Sequence, residues 1–185
     1  KTPAGMKSFK LNKVISSKSI FNFQKRFIGQ GAVYQQDTSK VRLKGTFLKA
    51  RRDDMPTFIF FPEALEFAEN YEKFFTDPNN RILDYRNVWL VNPRNFADSD
   101  HHDSHDLEEV ADDVKRFMNE KQISIASVGG HGYGAKIACA FGSQYLDSTS
   151  GVVCIEGGPI DQSYHPAWNQ IRENIIEASK IAKES

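Results

Sequence analysis

The run Ser127-Val128-Gly129-Gly130-His131-Gly132-Tyr133-Gly134-Ala135 carries residue types at a spacing that acyl transfer uses. A nucleophile elbow reads G-x-S-x-G, with a strand before it, a helix after it and the serine hydroxyl at the apex of the turn. Residues 130–134 keep this layout as Gly-His-Gly-Tyr-Gly, with Gly132 at the apex. The apex backbone is usually strained by about 1–3 kcal/mol, held because function needs it. Glycine relieves that strain and removes the nucleophile. The expectation is an elbow whose geometry is kept and whose chemistry is deleted. Gly130 and Gly134 are the small residues that let strand and helix backbones approach closely.

Other residues invite a chemical reading and are weighed against a plainer one. His101-His102-Asp103-Ser104-His105-Asp106 packs metal-ligand types into six positions. Neighbouring side chains rarely converge on one ion, and no distant fourth ligand is evident, so a polar loop entering a helix is preferred. His131, just before the apex, fits packing or hydrogen bonding better than a role as base. His165 with Asp161 or Glu156 resembles a dyad that has no serine to serve. Lys136 reads as a helix-surface residue, and the acid-rich run 105–113 as a solvated helix face. Gly129-Gly130 fits neither a phosphate loop nor a dinucleotide fingerprint. No catalytic, cofactor-binding or metal-binding residue is therefore expected, and no cofactor.

The elements that position the elbow follow from periodicity. Thr57–Phe61, Asn87–Val91 and Ile123–Val128 are short apolar runs typical of buried strands of a parallel sheet, and Gly151–Ile155 reads as a further strand, left at the open edge of the sheet. Ala32–Gln36 and Val41–Ala50 read as two further strands forming an edge hairpin. Between the strands, Ala64–Phe75, residues 105–119 and Ala135–Phe141 show helical spacing, with Ser104 as N-cap of the second. Pro166–Lys183 reads as a final helix. Strands alternating with helices from residue 57 onward predict an α/β fold, a doubly wound, mostly parallel sheet with helices on both faces.

At 185 residues the chain is expected to hold one domain, residues 32–185, preceded by an extension, residues 1–31. Formal charge is zero, yet residues 1–36 carry seven Lys/Arg and no acid. The remainder holds 17 basic and 24 acidic residues, a net of −7. Such a basic, serine-containing start resembles a mitochondrial targeting segment. The acidic body carries no nucleic-acid-binding motif. No apolar run is long enough to span a membrane. Cys139 and Cys154 fall in an expected core helix and core strand, and read as buried free thiols suited to a reducing compartment.

Taken in order, these elements resemble the N-terminal two-thirds of the α/β-hydrolase fold, over about residues 32–170. The likeness is greatest to its mitochondrial esterase-like branch, abhydrolase domain-containing protein 11 and its relatives. Asn87–Ser99 resembles that group's strand-four segment, with Arg94, Asn95, Asp98 and Ser99 matching. Val128–Lys136 resembles its elbow, including Lys136, and Val153–Pro159 its strand-six end. The departures fall on the catalytic parts that the resemblance implies. Gly132 stands for the serine. The oxyanion turn, His-Gly in the family, reads Pro62-Glu63-Ala64-Leu65, where proline lacks an N–H and a carboxylate opposes a developing oxyanion. The family's acid and histidine follow strand six, and the sequence stops at Ser185 before elements able to carry them.

The expectation is a truncated, catalytically inactive α/β-hydrolase serving as an accessory subunit of a large mitochondrial complex. A respiratory-chain complex or ATP synthase is named first, matrix side, with peripheral membrane association only through the complex. Other protein subunits would cover the open sheet edge and the basic arm. Two alternatives stand beside it. The chain is the N-terminal half of a split serine hydrolase completed by another chain, or it is a ligand-binding module using the vestigial pocket between the elbow and the Pro62 loop.

Overall fold

Five short segments lie side by side, and their order in space differs from their order in sequence. A computed structural model describes residues 41–159 and 167–184. The strands are β1 (Lys44–Leu48), β2 (Thr57–Phe61), β3 (Asn87–Asn92), β4 (Ala126–His131) and β5 (Thr149–Ile155). They form one sheet in the order β1-β3-β2-β4-β5. β1 runs antiparallel to β3, and the pairs β2/β3, β2/β4 and β4/β5 are parallel. The α/β reading with a mostly parallel sheet therefore holds.

Period-2 alternation assigns each face of the sheet. Ile59 and Phe61 of β2 join Val91 and Val128 on one face, against Val110, Val114, Phe117, Ile137 and Phe141. Those partners belong to two helices, α2 (Leu107–Glu120) and α3 (Tyr133–Gln144). Phe58 and Phe60 point the other way and pack with Val88, Leu90, Ala68 and Phe75. Phe75 sits on the short helix α1 (Glu72–Thr76), which follows a 3₁₀ turn at Ala68–Tyr71. A last helix, α4, spans Trp168–Glu184.

Several boundaries differ from those the sequence predicts. The helix expected from Ala64 begins only at the 3₁₀ turn, because residues 62–67 form the connection after β2 and Leu65 sits there at φ +66°. Leu65 and Phe67 are consequently exposed, and Phe74 is exposed on α1. Ser104 does not cap α2. Asp106 holds the N-cap position without a side-chain cap bond. β4 starts later than expected and runs on through Gly129 and Gly130 to His131, leaving Ile125 exposed. Of the expected hairpin, the Val41–Ala50 arm yields β1, whose described partner is β3. The arm Ala32–Gln36 and the boundary at residue 31 lie outside the described residues.

β5 was expected as a core strand left at an open sheet edge, and Val152, Val153 and Ile155 are 42%, 46% and 42% exposed. Among the described residues β5 pairs only with β4, so an apolar strand stands at the sheet edge. The two cysteines follow suit, with Cys139 half-buried and Cys154 exposed rather than in the core.

Candidate functional site: the elbow and the turn facing it

β4, Gly132 and α3 together build the elbow. Gly132 adopts φ +49° and ψ −104°, in the half of conformational space that side chains disfavour. Its N–H donates to the Ile155 carbonyl at 2.9 Å, which ties the apex to the end of β5. The flanking glycines are needed for closeness. A Cβ on Gly130 would lie 2.3 Å from the Gly134 carbonyl carbon, and one on Gly134 would lie 2.2 Å from the Phe61 carbonyl oxygen. The strand–turn–helix joint expected from the sequence is present, with its close approach.

The connection after β2 lies directly across from the apex, and Glu63 turns its carboxylate inward. Its Oε1 accepts from the backbone N–H of Tyr133 at 3.0 Å and of Ala64 at 2.5 Å. These are the two backbone positions from which an elbow enzyme stabilises an oxyanion: the residue after the nucleophile, and the turn after the parallel strand that pairs with the elbow strand. The other oxygen, Oε2, occupies the apex. A Cβ built on Gly132 would lie only 1.2 Å from it. One carboxylate thus fills both the oxyanion position and the nucleophile's space. From sequence, Glu63 reads as a charge near the site; that it takes both donors emerges only from the fold, because 70 positions separate it from Tyr133.

A second polar constellation borders the apex. His131 Nδ1 lies 2.8 Å from the Tyr71 hydroxyl, which donates to Glu66, and its Nε2 lies 3.0 Å from Glu156 Oε2. Burial, and then the bond to Glu66, push the Tyr71 phenol far above its ordinary range. His131 is thus held by hydrogen bonds, as the sequence suggests. Glu156 faces His131 and itself adopts φ +49°. Tyr71 was visible only as part of an apolar stripe, and nothing in the sequence links it to His131, 60 positions away. Asp161 and His165, the other members of the imagined dyad, lie outside the described residues.

The histidine-rich loop separates rather than converges, and among the described residues no His/Cys/Asp/Glu cluster is arranged to hold a metal. His105 stacks near-parallel with Tyr133 at 5.4 Å and with Phe96 at 6.4 Å. Its Nε2 lies 2.7 Å from the Tyr133 hydroxyl and its Nδ1 3.1 Å from the Asn95 amide. With Nδ1 accepting from Asn95, the neutral ring donates from Nε2 to Tyr133. Desolvation, helped by the Arg94 charge, lowers the His105 pKa below its ordinary value. Burial pushes Tyr133 up to about 12. His102 Nδ1 accepts from the Ser104 N–H at 3.1 Å, within its own loop.

Arg94, Asn95 and Ser99 build the frame around this loop. Arg94, 3% exposed, bonds Asp113 through Nε at 2.6 Å and Nη2 at 3.0 Å, and Glu109 through Nη1 at 2.7 Å. Ser99 donates to the Asn92 carbonyl and accepts from the Lys44 N–H, stitching β1 to β3. The acid-rich run is therefore not simply a solvated face. Asp113 is fully buried, and Asp112 accepts from the Tyr145 hydroxyl at 2.5 Å. A charged residue is tolerated at such depth because Arg94 and Arg116 pair with it. Lys136 is half-buried on the first turn of α3.

Comparison with known proteins places this architecture. The sequence profile described as the alpha/beta hydrolase fold matches residues 56–178. A probable alcohol acetyltransferase of Saccharomyces cerevisiae is 31% identical over 78 residues, 40% of this chain and 23% of that protein. A marine microorganism esterase superposes with a TM-score of 0.63 at 22% identity, covering 76% of this chain and 51% of that one. A thermophilic esterase from Thermogutta terrifontis superposes with a TM-score of 0.55 at 18% identity, covering 63% and 41%. This chain thus spans about half the length of the first esterase and about a quarter of the yeast protein's. With the sheet order, the elbow and the profile in agreement, the chain belongs to the α/β-hydrolase fold family.

Proposed function

We propose that this chain is a non-catalytic member of its family, acting through association with other proteins. The observation that carries the reading is the Glu63 carboxylate, which holds both oxyanion donors and the space of the missing nucleophile. Covalent acyl transfer needs an activated nucleophile and free donors aimed at the developing negative charge. Loss of the nucleophile alone costs about 10⁶ in kcat in a serine hydrolase, and loss of one donor about 10²–10³. A carboxylate in the hole also repels the charge that the hole exists to receive.

The exposed apolar strand β5 supports the second half of the reading. Among the described residues β5 pairs along one side only, and an unpaired edge of this kind templates pairing with another chain, which natural proteins cover. Beside it, Phe58, Phe60, Phe75, Val153 and Ile155 line an apolar cavity of about 480 Å³, away from the Glu63-filled apex. The basic, acid-free segment 1–36 supports a mitochondrial setting, with a respiratory-chain complex or ATP synthase as the assemblies proposed first. Native electrophoresis of material from the natural source tests this. Migration well above monomer size with copurifying chains is expected, and migration as a lone monomer overturns it.

A second reading has its own support. Gly132 retains the strained φ, ψ of a nucleophile position although a glycine needs none, and the yeast relative is named for acyl transfer. These favour a split enzyme in which another chain supplies the nucleophile, acid and histidine.

A further inference from the structure

Cys139 lies on the second turn of α3, and Cys154 lies on β5 at the sheet edge. Their sulfurs are 3.4 Å apart, with Cys139 half-buried and Cys154 exposed. A disulfide needs about 2.05 Å between sulfurs and two backbones already close together. α3 packs closely on β5 here, since a Cβ on Gly142 would lie 2.6 Å from a Val152 methyl. Rotation about the two cysteine side-chain torsions is what must close the remaining gap. β5 can also yield, because among the described residues it is hydrogen-bonded along one side only.

We propose that Cys139 and Cys154 form a reversible dithiol–disulfide site that, when oxidised, clamps the edge strand to the elbow helix. The oxidant is a low-molecular-weight disulfide of the glutathione class. The exposed Cys154 thiolate attacks one sulfur of that disulfide, and the first glutathione thiolate leaves. Cys139 then attacks the Cys154 sulfur of the mixed disulfide, and the second glutathione thiolate leaves. The two thiol protons end on the two departing glutathiones. The protein pair loses two electrons, and the external disulfide gains them.

The order of attack follows from the surroundings. Burial, and then the bond to Cys154, push the Cys139 thiol up to about 11, so it resolves rather than initiates. The clamp would act where it matters to the elbow, since β5 runs directly into Ile155, whose carbonyl holds the Gly132 N–H.

Intact-mass spectrometry of the full chain, reduced and then exposed to oxidised glutathione, tests it. The expected result is loss of two hydrogens with no retained glutathione, a crosslinked peptide joining residues 139 and 154, and restoration by dithiothreitol. Cys139→Ser should trap glutathione on Cys154, whereas Cys154→Ser should react slowly. Thermal unfolding of the oxidised chain should rise by roughly 5 °C relative to the reduced chain. A stable glutathione adduct on the unsubstituted chain, a covalent dimer, an unchanged mass or an unraised unfolding midpoint would each overturn the proposal.

Discussion

A side chain at position 132 meets two obstacles, and they are separable. The first is backbone strain, since φ +49° costs a non-glycine residue about 1–3 kcal/mol. The second is Glu63, whose Oε2 lies 1.2 Å from where a Cβ would stand. Gly132→Ser must therefore evict a carboxylate that accepts two backbone N–H groups, bonds to a charged group being worth about 1.5–3 kcal/mol each. Urea unfolding of Gly132→Ser, Glu63→Gly and the double variant reads this contest. The double variant should be more stable than the sum of the single losses predicts, by about 1–3 kcal/mol. Additive losses would contradict the shared-space reading, and Gly132→Ser alone should gain no esterase activity. The glycine was legible because elbow spacing is a local pattern. The inward turn of Glu63 was not, because it depends on a connection bent by Leu65 at φ +66° and on a partner 70 positions away.

Elements were legible where their apolar pattern was long or continuous. Thr57–Phe61 emerges with the boundaries its run of apolar residues predicts, and Val110, Val114 and Phe117 mark the buried face of α2. Patterns failed where tertiary contacts set the ends. The stripe from Leu65 to Phe75 looked helical throughout, yet the turn after β2 claims its first part and leaves Leu65 and Phe67 exposed. The acids of α2 looked solvated because one sequence does not reveal that Arg94 reaches across to them. That arginine locks the loop after β3 onto α2 through a buried pair. Removing one member of a buried pair strands the other, typically at 3–5 kcal/mol. Arg116 also pairs with Asp113, so Arg94→Ala should cost about 3 kcal/mol by chemical denaturation. A loss below about 0.5 kcal/mol would show that the pair does not hold the loop.

At the scale of the molecule, the sheet is well covered on one side of the elbow and poorly covered at its β5 edge. Gly151–Ile155 reads as core from composition alone, because Val, Cys and Ile signal burial without saying what buries them. In the described structure these residues meet solvent, and the apolar cavity beside them is continuous with the same sheet face. The proposed non-catalytic role rests on the filled apex and on the apolar edge open among the described residues. Whether acyl chemistry occurs at this elbow decides between a scaffold and an enzyme. Fluorophosphonate labelling of the protein from its natural source, with its copurifying chains retained, tests this most directly. The account predicts no label on this chain or on any partner seated against it. A label on either one, blocked by an acyl-ester substrate, would contradict it and establish a working hydrolase in place of a scaffold.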